Sequence, residues 1–576
     1  MPVNNFKYRP NISETIKEFG EYDFIIVGAG YTGTVLANRL SEKKNWKILL
    51  LEAGGYGDTF VSVPVMLYRL RHTKYDWGYK SVPQKHACLG MMDKVCGVPR
   101  GKGIGGTSLI NGQIYVRGHP KQFDKWAELG NPGWSYNEIL PLFKKLEGLV
   151  DSNPLAYVNW TYHNNSGPLY LEYYYNNDIQ IDAFYNANKE LNYQLVDVNS
   201  PHQIGVSPTL AGIKDGKRFD AGTALIEPIL KRTNLKVMTE SYVIKINFKN
   251  KRATGVTFSH NGRLFAAYAK KEVIISTGAI NSPQLLMLSG IGPRKHLKRN
   301  NIRVISNLPV GMMYKEQPMY LGLLFSTNYS EPIKSFEGYV REFLSGLGPL
   351  TVTGEMRAVG FYRTKLATDI GVPDLEIMYS AGNCTDPFLK QFYRFTDDTW
   401  NSTFTNVNPA KCFSLLPILL NPTSSGSLKL KSNNPYEFPL INPNYLSKPK
   451  DVETMYEGIK LSLKLIKTEA FKKLDVKLAI KPLPACKEHT FLSREYFYCS
   501  IQHLSGDIFH PVGTCPMGPD PSRYVVDHKL NVYGVENLRV ADASIFPTTL
   551  AGHPTAPCAM IGEKLANILK NKYHYK

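Results

Sequence analysis

The stretch that most constrains this chain is Tyr22-Asp23-Phe24-Ile25-Ile26-Val27 running into Gly28-Ala29-Gly30-Tyr31-Thr32-Gly33, an apolar strand that breaks into a glycine turn and enters a helix. A second apolar strand, Lys47-Ile48-Leu49-Leu50-Leu51, ends at Glu52, 19 positions after Gly33, the length of one strand-helix-strand unit. The glycines serve a tight turn, close approach of the backbone to a pyrophosphate, and close packing of helix on strand, with the phosphate at the helix N-terminus. Glu52 is placed to accept from a ribose hydroxyl. NAD and FAD both fit such a unit, so the hexapeptide alone leaves the nucleotide open.

At 576 residues the chain is long enough for two or more domains with buried cores. The formal net charge of +19 raises the question of nucleic acid, but the lysines are scattered and no basic block is interleaved with aromatics, so a solvated basic surface is expected instead. No apolar run reaches membrane-spanning length. The first twenty residues are polar and carry no leader-like apolar core, which reads as a cytosolic, processed or N-terminally incomplete chain. Other features point outward. Sequons stand at Asn11, Asn159, Asn164, Asn328, Asn383 and Asn401. Cys88 with Cys96 and Cys486 with Cys499 each flank a short loop, which suits local disulfides better than metal sites, and Cys384 with Cys412 is a weaker third pair. An extracellular, secreted protein is expected, with no metal.

A second glycine-rich loop, Pro99-Arg100-Gly101-Lys102-Gly103-Ile104-Gly105-Gly106-Thr107-Ser108-Leu109-Ile110-Asn111-Gly112, lets main chain lie against a planar or phosphate-bearing ligand. Residues 120–150 read as helical with a turn at Asn131-Pro132-Gly133-Trp134, whereas 151–220 shows no clear periodicity. Between Leu235 and Ser276 the pattern predicts short strands at 242–246, 255–258, 264–269 and 272–276. The last of these enters Thr277-Gly278-Ala279-Ile280-Asn281-Ser282-Pro283-Gln284, a glycine turn into a helix. An amphipathic helix is expected from Asp451 to Lys467. Near the end come Phe509-His510-Pro511-Val512-Gly513-Thr514-Cys515, a strand ending at Asp542, and a helix from Ala556 after Gly552-His553-Pro554-Thr555.

Together these motifs resemble the glucose-methanol-choline oxidoreductase family, flavoenzymes that oxidise alcohols, and in particular its insect glucose-dehydrogenase-like branch. One family signature matches residues 101–111 and a second matches 278–292. The resemblance implies a mixed α/β fold: a Rossmann-like FAD-binding domain with a discontinuous substrate-binding domain built on an antiparallel sheet. The FAD-binding domain is expected from 20–150, 220–312 and 506–576, and the substrate domain from 151–219 and 313–505. FAD rather than NAD is implied, with Gly28, Gly30, Gly33 and Glu52 on the ADP half and Val243 near the adenine. Gly105, Gly106, Thr107, Asn111 and Gly112 line the flavin side, Asp542 and Ala543 approach the ribityl-pyrophosphate part, and Thr555 touches the flavin through its backbone. Relatives that tether FAD carry a histidine just before the signature asparagine; Ile110 stands there, so FAD is expected to be non-covalent.

Alcohol oxidation needs a base beside the flavin, because the hydroxyl proton must leave as the α-hydrogen departs as hydride. His510 matches the family's catalytic base, and an imidazole with an ordinary pKa of about 6.5 can take a proton near neutrality. His553 matches a histidine or asparagine that holds the substrate oxygen. A small alcohol, aromatic, terpenoid or sugar, is the expected substrate, with oxygen or a quinone reoxidising the flavin. One segment departs from the family: where relatives carry Gly-x-Asn-Leu-x-Asp-His, this chain reads Gly311-Met312-Met313-Tyr314-Lys315-Glu316-Gln317. Glu316 and Gln317 can keep the local hydrogen bonding, while Met313 and Tyr314 would favour an apolar substrate if they face the pocket. The competing reading is a catalytically silent secreted paralogue with a binding or structural role; intact His510, His553 and both signatures favour the enzyme.

Overall fold

A computed structural model of the chain describes residues 8–10, 15–151, 153–174, 178–330, 334–352, 356–382 and 384–574. Asn11 and Asn383, two of the sequon asparagines, lie outside the described residues. Two large sheets organise the rest.

The first sheet has seven strands. Its path runs 235–238, 48–51, 17–27, 263–275, 252–260 and 241–249, with 538–540 paired beside 263–275. Strands 235–238, 48–51, 17–27, 263–275 and 538–540 are mutually parallel, and the central ones are buried on both faces, which explains their continuous Ile, Leu and Val runs. The separate strands expected at 264–269 and 272–276 are one element, Arg263–Ile275. The lysines that interrupt its pattern do not break it, because Lys270 pairs with Glu21 at 2.9 Å and Lys271 with Asp23 at 3.3 Å on the neighbouring strand. Helix Tyr31–Leu40 and the C-terminal helix Thr555–Lys572 pack on this sheet's side of the molecule and on each other.

The second sheet is antiparallel in the order 477–478, 324–326, 412–419, 375–381, 356–362 and 205–208, with 318–320 joining 412–419 to 505–507. Its strands alternate between two faces. Leu375 meets helix Pro449–Leu465 at Gly458, and Tyr379 meets Phe184 of helix Ile179–Glu190. Met356, Met378 and Leu416 instead line the molecule's main cavity. Helix Ile179–Glu190 lies inside the stretch without readable periodicity, for a physical reason: Gln180 and Asn188 are buried on its packed face, where they accept from the Tyr379 hydroxyl at 2.8 Å and the Tyr362 hydroxyl at 2.7 Å. Polar residues at core positions erase the apolar rhythm.

The cores do not simply follow chain order. Tyr314, Leu428, Leu430 and Ile441, from within 313–505, pack in the core of the first sheet. Cys88 is bonded to Cys96 and Cys486 to Cys499. Cys384 and Cys412 are both free thiols, buried and directed at the same Gly382 carbonyl, so the third pair is not formed. Among the described residues no helix is long and apolar enough to cross a membrane.

Candidate active site

One continuous cavity runs between the two sheets, from Glu52 and Val243 at one end to His510 and His553 at the other. It is lined by Gly28, Gly30, Glu52, Gly106, Thr107, Asn111, Gly112, Val243, Asp542, Ala543 and Thr555 among the residues singled out above. Gly33 and Gly105 do not line it; they hold the wall from behind. A Cβ on Gly33 would stand 1.9 Å from the Gly28 carbonyl oxygen, so only glycine lets the helix start this close to the strand turn. Gly105 donates its N–H to the Ala29 carbonyl at 2.8 Å, and a Cβ on Gly106 would stand 2.7 Å from Gly30 Cα. The two glycine loops, 72 positions apart between Gly33 and Gly105 in the sequence, are thereby pressed together into one surface.

Carboxylates bolt this surface. Glu52 Oε2 accepts from Ala29 N–H at 2.9 Å, while Oε1 accepts from Gly54 at 2.9 Å and Gly103 at 3.1 Å. Glu52 therefore joins both glycine loops to the end of its own strand, a role its spacing did not reveal. Burial raises its carboxyl above the usual range, and the three N–H groups pull it back. Asp542 does the same between the strand ends at 275 and 540: it accepts from Gly278 N–H at 2.9 Å, the Ser282 hydroxyl at 2.5 Å and Ser544 N–H at 2.8 Å. The arrangement fits FAD. Helix Tyr31–Leu40 has no side-chain cap on its N-terminal N–H groups, and nothing lies within 4 Å of where a Cβ on Gly30 would be. Free N–H donors and bare main chain at a helix start are what a pyrophosphate needs.

At the other end the two imidazoles face each other, with ring centroids 4.6 Å apart and planes at 76°. Their partners differ. His510 Nδ1 is 2.7 Å from Gln317 Oε1, and Gln317 Nε2 donates to the Leu420 carbonyl at 3.0 Å and the Leu550 carbonyl at 2.8 Å. Because two carbonyls claim the amide nitrogen, its oxygen must face His510. Nδ1 is then the N–H nitrogen, and Nε2 is left as the acceptor. Burial, then the neighbouring His553 and Arg100, push His510 well below the ordinary imidazole pKa, so it is neutral near pH 7. His553 Nε2 instead lies 3.2 Å from the Glu376 carboxylate.

Glu316 braces the His510 main chain, accepting its N–H at 2.7 Å. Glu316 and Asp507 form a buried carboxyl pair behind the base. Burial raises both, Glu316 well above the usual range and Asp507 to about 6, and the charge of Asp507 adds to the rise at Glu316. Met313 and Tyr314 do not line the cavity, and the apolar-pocket role raised for them fails. Met313 packs at Gly513, while Tyr314 is buried with a hydroxyl that has no partner among the described residues.

Glu376, Asp507 and Arg71, the last also lining the cavity, were missed by sequence reasoning. For Glu376 a signal existed: it is the single charged residue in the strand Leu375–Ala381.

The GMC oxidoreductase family models match residues 22–319 and 422–562. The chain belongs to the GMC oxidoreductase family. It is 35% identical over 562 residues to a glucose dehydrogenase [FAD, quinone] of Drosophila pseudoobscura pseudoobscura, covering 96% of this chain and 88% of that protein. It is 32% identical to an ecdysone oxidase of Spodoptera littoralis, with 96% and 92% covered. Among solved structures it is similar to pyridoxine 4-oxidase from Mesorbium loti, at a TM-score of 0.81 and 26% identity, covering 96% of this chain and 99% of that one. As a GMC oxidoreductase the protein is an FAD-dependent enzyme acting on the CH–OH group of an alcohol.

Proposed function

We propose that this GMC oxidoreductase oxidises an apolar or aromatic alcohol with His510 as the base, in an FAD-binding domain of residues 20–150, 220–312 and 506–576. The observation that carries this is the locked Gln317–His510 pair, which leaves a neutral imidazole acceptor at the cavity surface. Bound FAD supplies the acceptor for the hydride that leaves the alcohol carbon. His510 Nε2 takes the hydroxyl proton as the C–H bond breaks, and the oxygen-carbon bond becomes the product carbonyl. His553, oriented by Glu376, holds the substrate oxygen as charge builds on it. Met319, Met356, Met378, Leu416 and Phe392 surround the approach. They exclude water and favour an apolar body over a sugar.

The Gly28 and Gly30 main chain with Glu52 would hold the ADP half, Val243 the adenine end, Gly106, Thr107, Asn111, Gly112 and Thr555 the flavin, and Asp542 with Ala543 the linking phosphates and ribityl. Ile110, which lines the cavity and packs among Val61, Leu70, Tyr75 and Leu109, has no nucleophilic atom, which supports non-covalent binding. The nearby Cys558 thiol is raised by burial and by Asp542, which keeps it from acting as a thiolate. Oxygen or a quinone reoxidises the flavin, the quinone being named for the glucose dehydrogenase relative. Secretion accords with the two disulfides and with exposed sequon asparagines at 328 and 401.

The test is anaerobic bleaching of the flavin absorbance by a panel of aromatic, terpenoid and sugar alcohols. Wild type should be reduced fastest by an aromatic or terpenoid alcohol, and His510→Ala should keep its FAD but be reduced about 10²- to 10⁴-fold more slowly. Equal rates in the two proteins would show that another group is the base.

A further inference from the structure

Arg71 is 7% exposed, and it lines the cavity on the substrate side, among Leu67, Tyr68, Phe392 and Tyr393. Among the described residues its guanidinium forms no hydrogen bond and no ion pair, and its Nε is buried without a partner. Asp76 does not serve it. The Asp76 carboxylate is taken by three main-chain N–H groups, from His72 at 3.1 Å, Gly78 at 3.0 Å and Arg100 at 3.1 Å. A guanidinium held out of water with no hydrogen-bond acceptor is costly to fold around, and a fold that had no use for it would pair it or replace it.

The surroundings are shaped to hold it in place. Its carbon lies 4.9 Å from the centre of the Phe392 ring, which supports the cation on one side. A Cβ on Gly97 would stand 1.3 Å from Arg71 Nη2, so the guanidinium occupies the place where any other residue at 97 would put its side chain. Gly97 is itself fixed, next to the Cys88–Cys96 disulfide and in a strand pair with Lys80. Burial lowers the Arg71 pKa to about 10, with Asp76 and Asp507 favouring the charged form from a distance, so the group is a cation at neutral pH. Arg100 also lines the cavity, and Arg394 adds a further positive charge near Arg71; burial raises both carboxyls of the Glu316–Asp507 pair behind His510.

We propose that Arg71 is a substrate-recognition residue that binds a carboxylate on the alcohol, so that the enzyme's preferred substrate is an aromatic or apolar alcohol carrying a carboxylate group. The inference rests on the alcohol-oxidising reading above and narrows its substrate. A guanidinium matches a carboxylate with two parallel N–H donors, which an apolar wall cannot do. The Phe392 ring, 4.9 Å from the Arg71 guanidinium carbon and 5.3 Å from the ring of Phe509, the residue before His510, offers an aromatic face beside the cation for a substrate ring.

The test uses the FAD-loaded enzyme and two ligands that cannot be oxidised at a hydroxyl, 4-methylbenzoate and its neutral counterpart 4-methylbenzamide, titrated against the flavin spectrum. Wild type should bind the carboxylate about 10- to 100-fold more tightly, the range of a charge-assisted pair. Arg71→Met should erase that difference, and Arg71→Lys should keep part of it. Loss of a merely structural arginine would lower the melting temperature without touching the ratio. Equal binding of the two ligands by wild type, or a preference that survives in Arg71→Met, overturns the proposal; the wild-type pair and the lysine variant decide it if the methionine variant does not fold. Anaerobic reduction by 4-(hydroxymethyl)benzoate and 4-methylbenzyl alcohol separates the two readings. An Arg71-dependent carboxylate preference with no flavin bleaching by either alcohol keeps the anion site and removes the alcohol reaction. Equal bleaching by both keeps the reaction and removes the anion site.

Discussion

The two ends of the cavity are built in different ways. Near Gly28 and Gly106 the wall is main chain: bare glycine surface, free N–H groups and carboxylates spent on holding loops together. Near His510 it is side chains, each oriented by a residue far off in sequence, with Gln317 and Glu316 at separations of 193 and 194 positions and Glu376 at 177 from His553. The first end works by fit, because a pyrophosphate needs close approach and donors whatever the pH. The second works by protonation state. Its two imidazoles touch, yet one faces a neutral amide and the other a carboxylate, and burial holds the first, His510, well below the ordinary imidazole pKa. Damage at the first end should therefore act through sterics and at the second through titration.

The largest effect is expected at the first end. In Gly33→Ala the new methyl would meet the Gly28 carbonyl oxygen at 1.9 Å, so the helix cannot start where it does. The protein should be recovered without flavin absorbance or not at all. Gly30→Ala is the control, since nothing lies within 4 Å of its Cβ position and the methyl enters the cavity. That variant should fold, with an unchanged circular dichroism spectrum, and bind FAD at least about tenfold more weakly. Flavin content equal to wild type in Gly30→Ala would break the contrast between the two ends, because the open main chain would then not be the cofactor surface.

How much of this was legible follows from the same contrast. The first end was readable because each of its parts is a short run: the hexapeptide, the strand ending at Glu52, and the two long glycine loops. His510 and His553 were readable because they also sit in short motifs. What held them was not. Gln317 drew notice only as a departure from a family pattern, and its two carbonyl partners, Leu420 and Leu550, are 103 and 233 positions away. Arg71 lies in Arg69-Leu70-Arg71-His72, where nothing distinguishes a buried cation from a solvated one. The antiparallel sheet was implied by the family resemblance alone, because its order depends on long-range pairing that one-dimensional periodicity does not carry.

The second largest effect concerns stability, behind the base. Burial raises the Asp507 carboxyl to about 6, against an ordinary value near 3.8. A raised carboxyl binds its proton more tightly in the folded state, so its contribution is fully present below about pH 4 and is lost as pH rises through 6. The cost at neutral pH amounts to at most about 3 kcal/mol. Asp507→Asn keeps an oxygen to accept from Phe509 N–H but cannot ionise. Denaturant unfolding at pH 4 and pH 7 should show wild type losing more stability between the two than the variant, in which buried Glu316 still titrates. If both fall equally, Asp507 is not a titrating part of the pair.

The smallest effect is the most telling about the base. In Gln317→Glu one carboxyl oxygen would face His510 Nδ1, and the other would lie between the Leu420 and Leu550 carbonyls, now 3.0 Å and 2.8 Å from the amide nitrogen. Neither carbonyl can donate, so an ionised carboxylate would be repelled there, and the new side chain should stay protonated. It then donates to one carbonyl and accepts from His510 with its other oxygen, copying the amide except for one lost hydrogen bond worth about 1 kcal/mol. The acid limb of the flavin-reduction rate should move by less than about one pH unit, because His510 owes its low pKa first to burial, which the change leaves intact. A limb displaced upward by about 1–3 units, the usual effect of an adjacent opposite charge, would mean that the site admits an ionised carboxylate. The neutrality of Gln317, rather than burial, would then be what keeps the base ready at neutral pH.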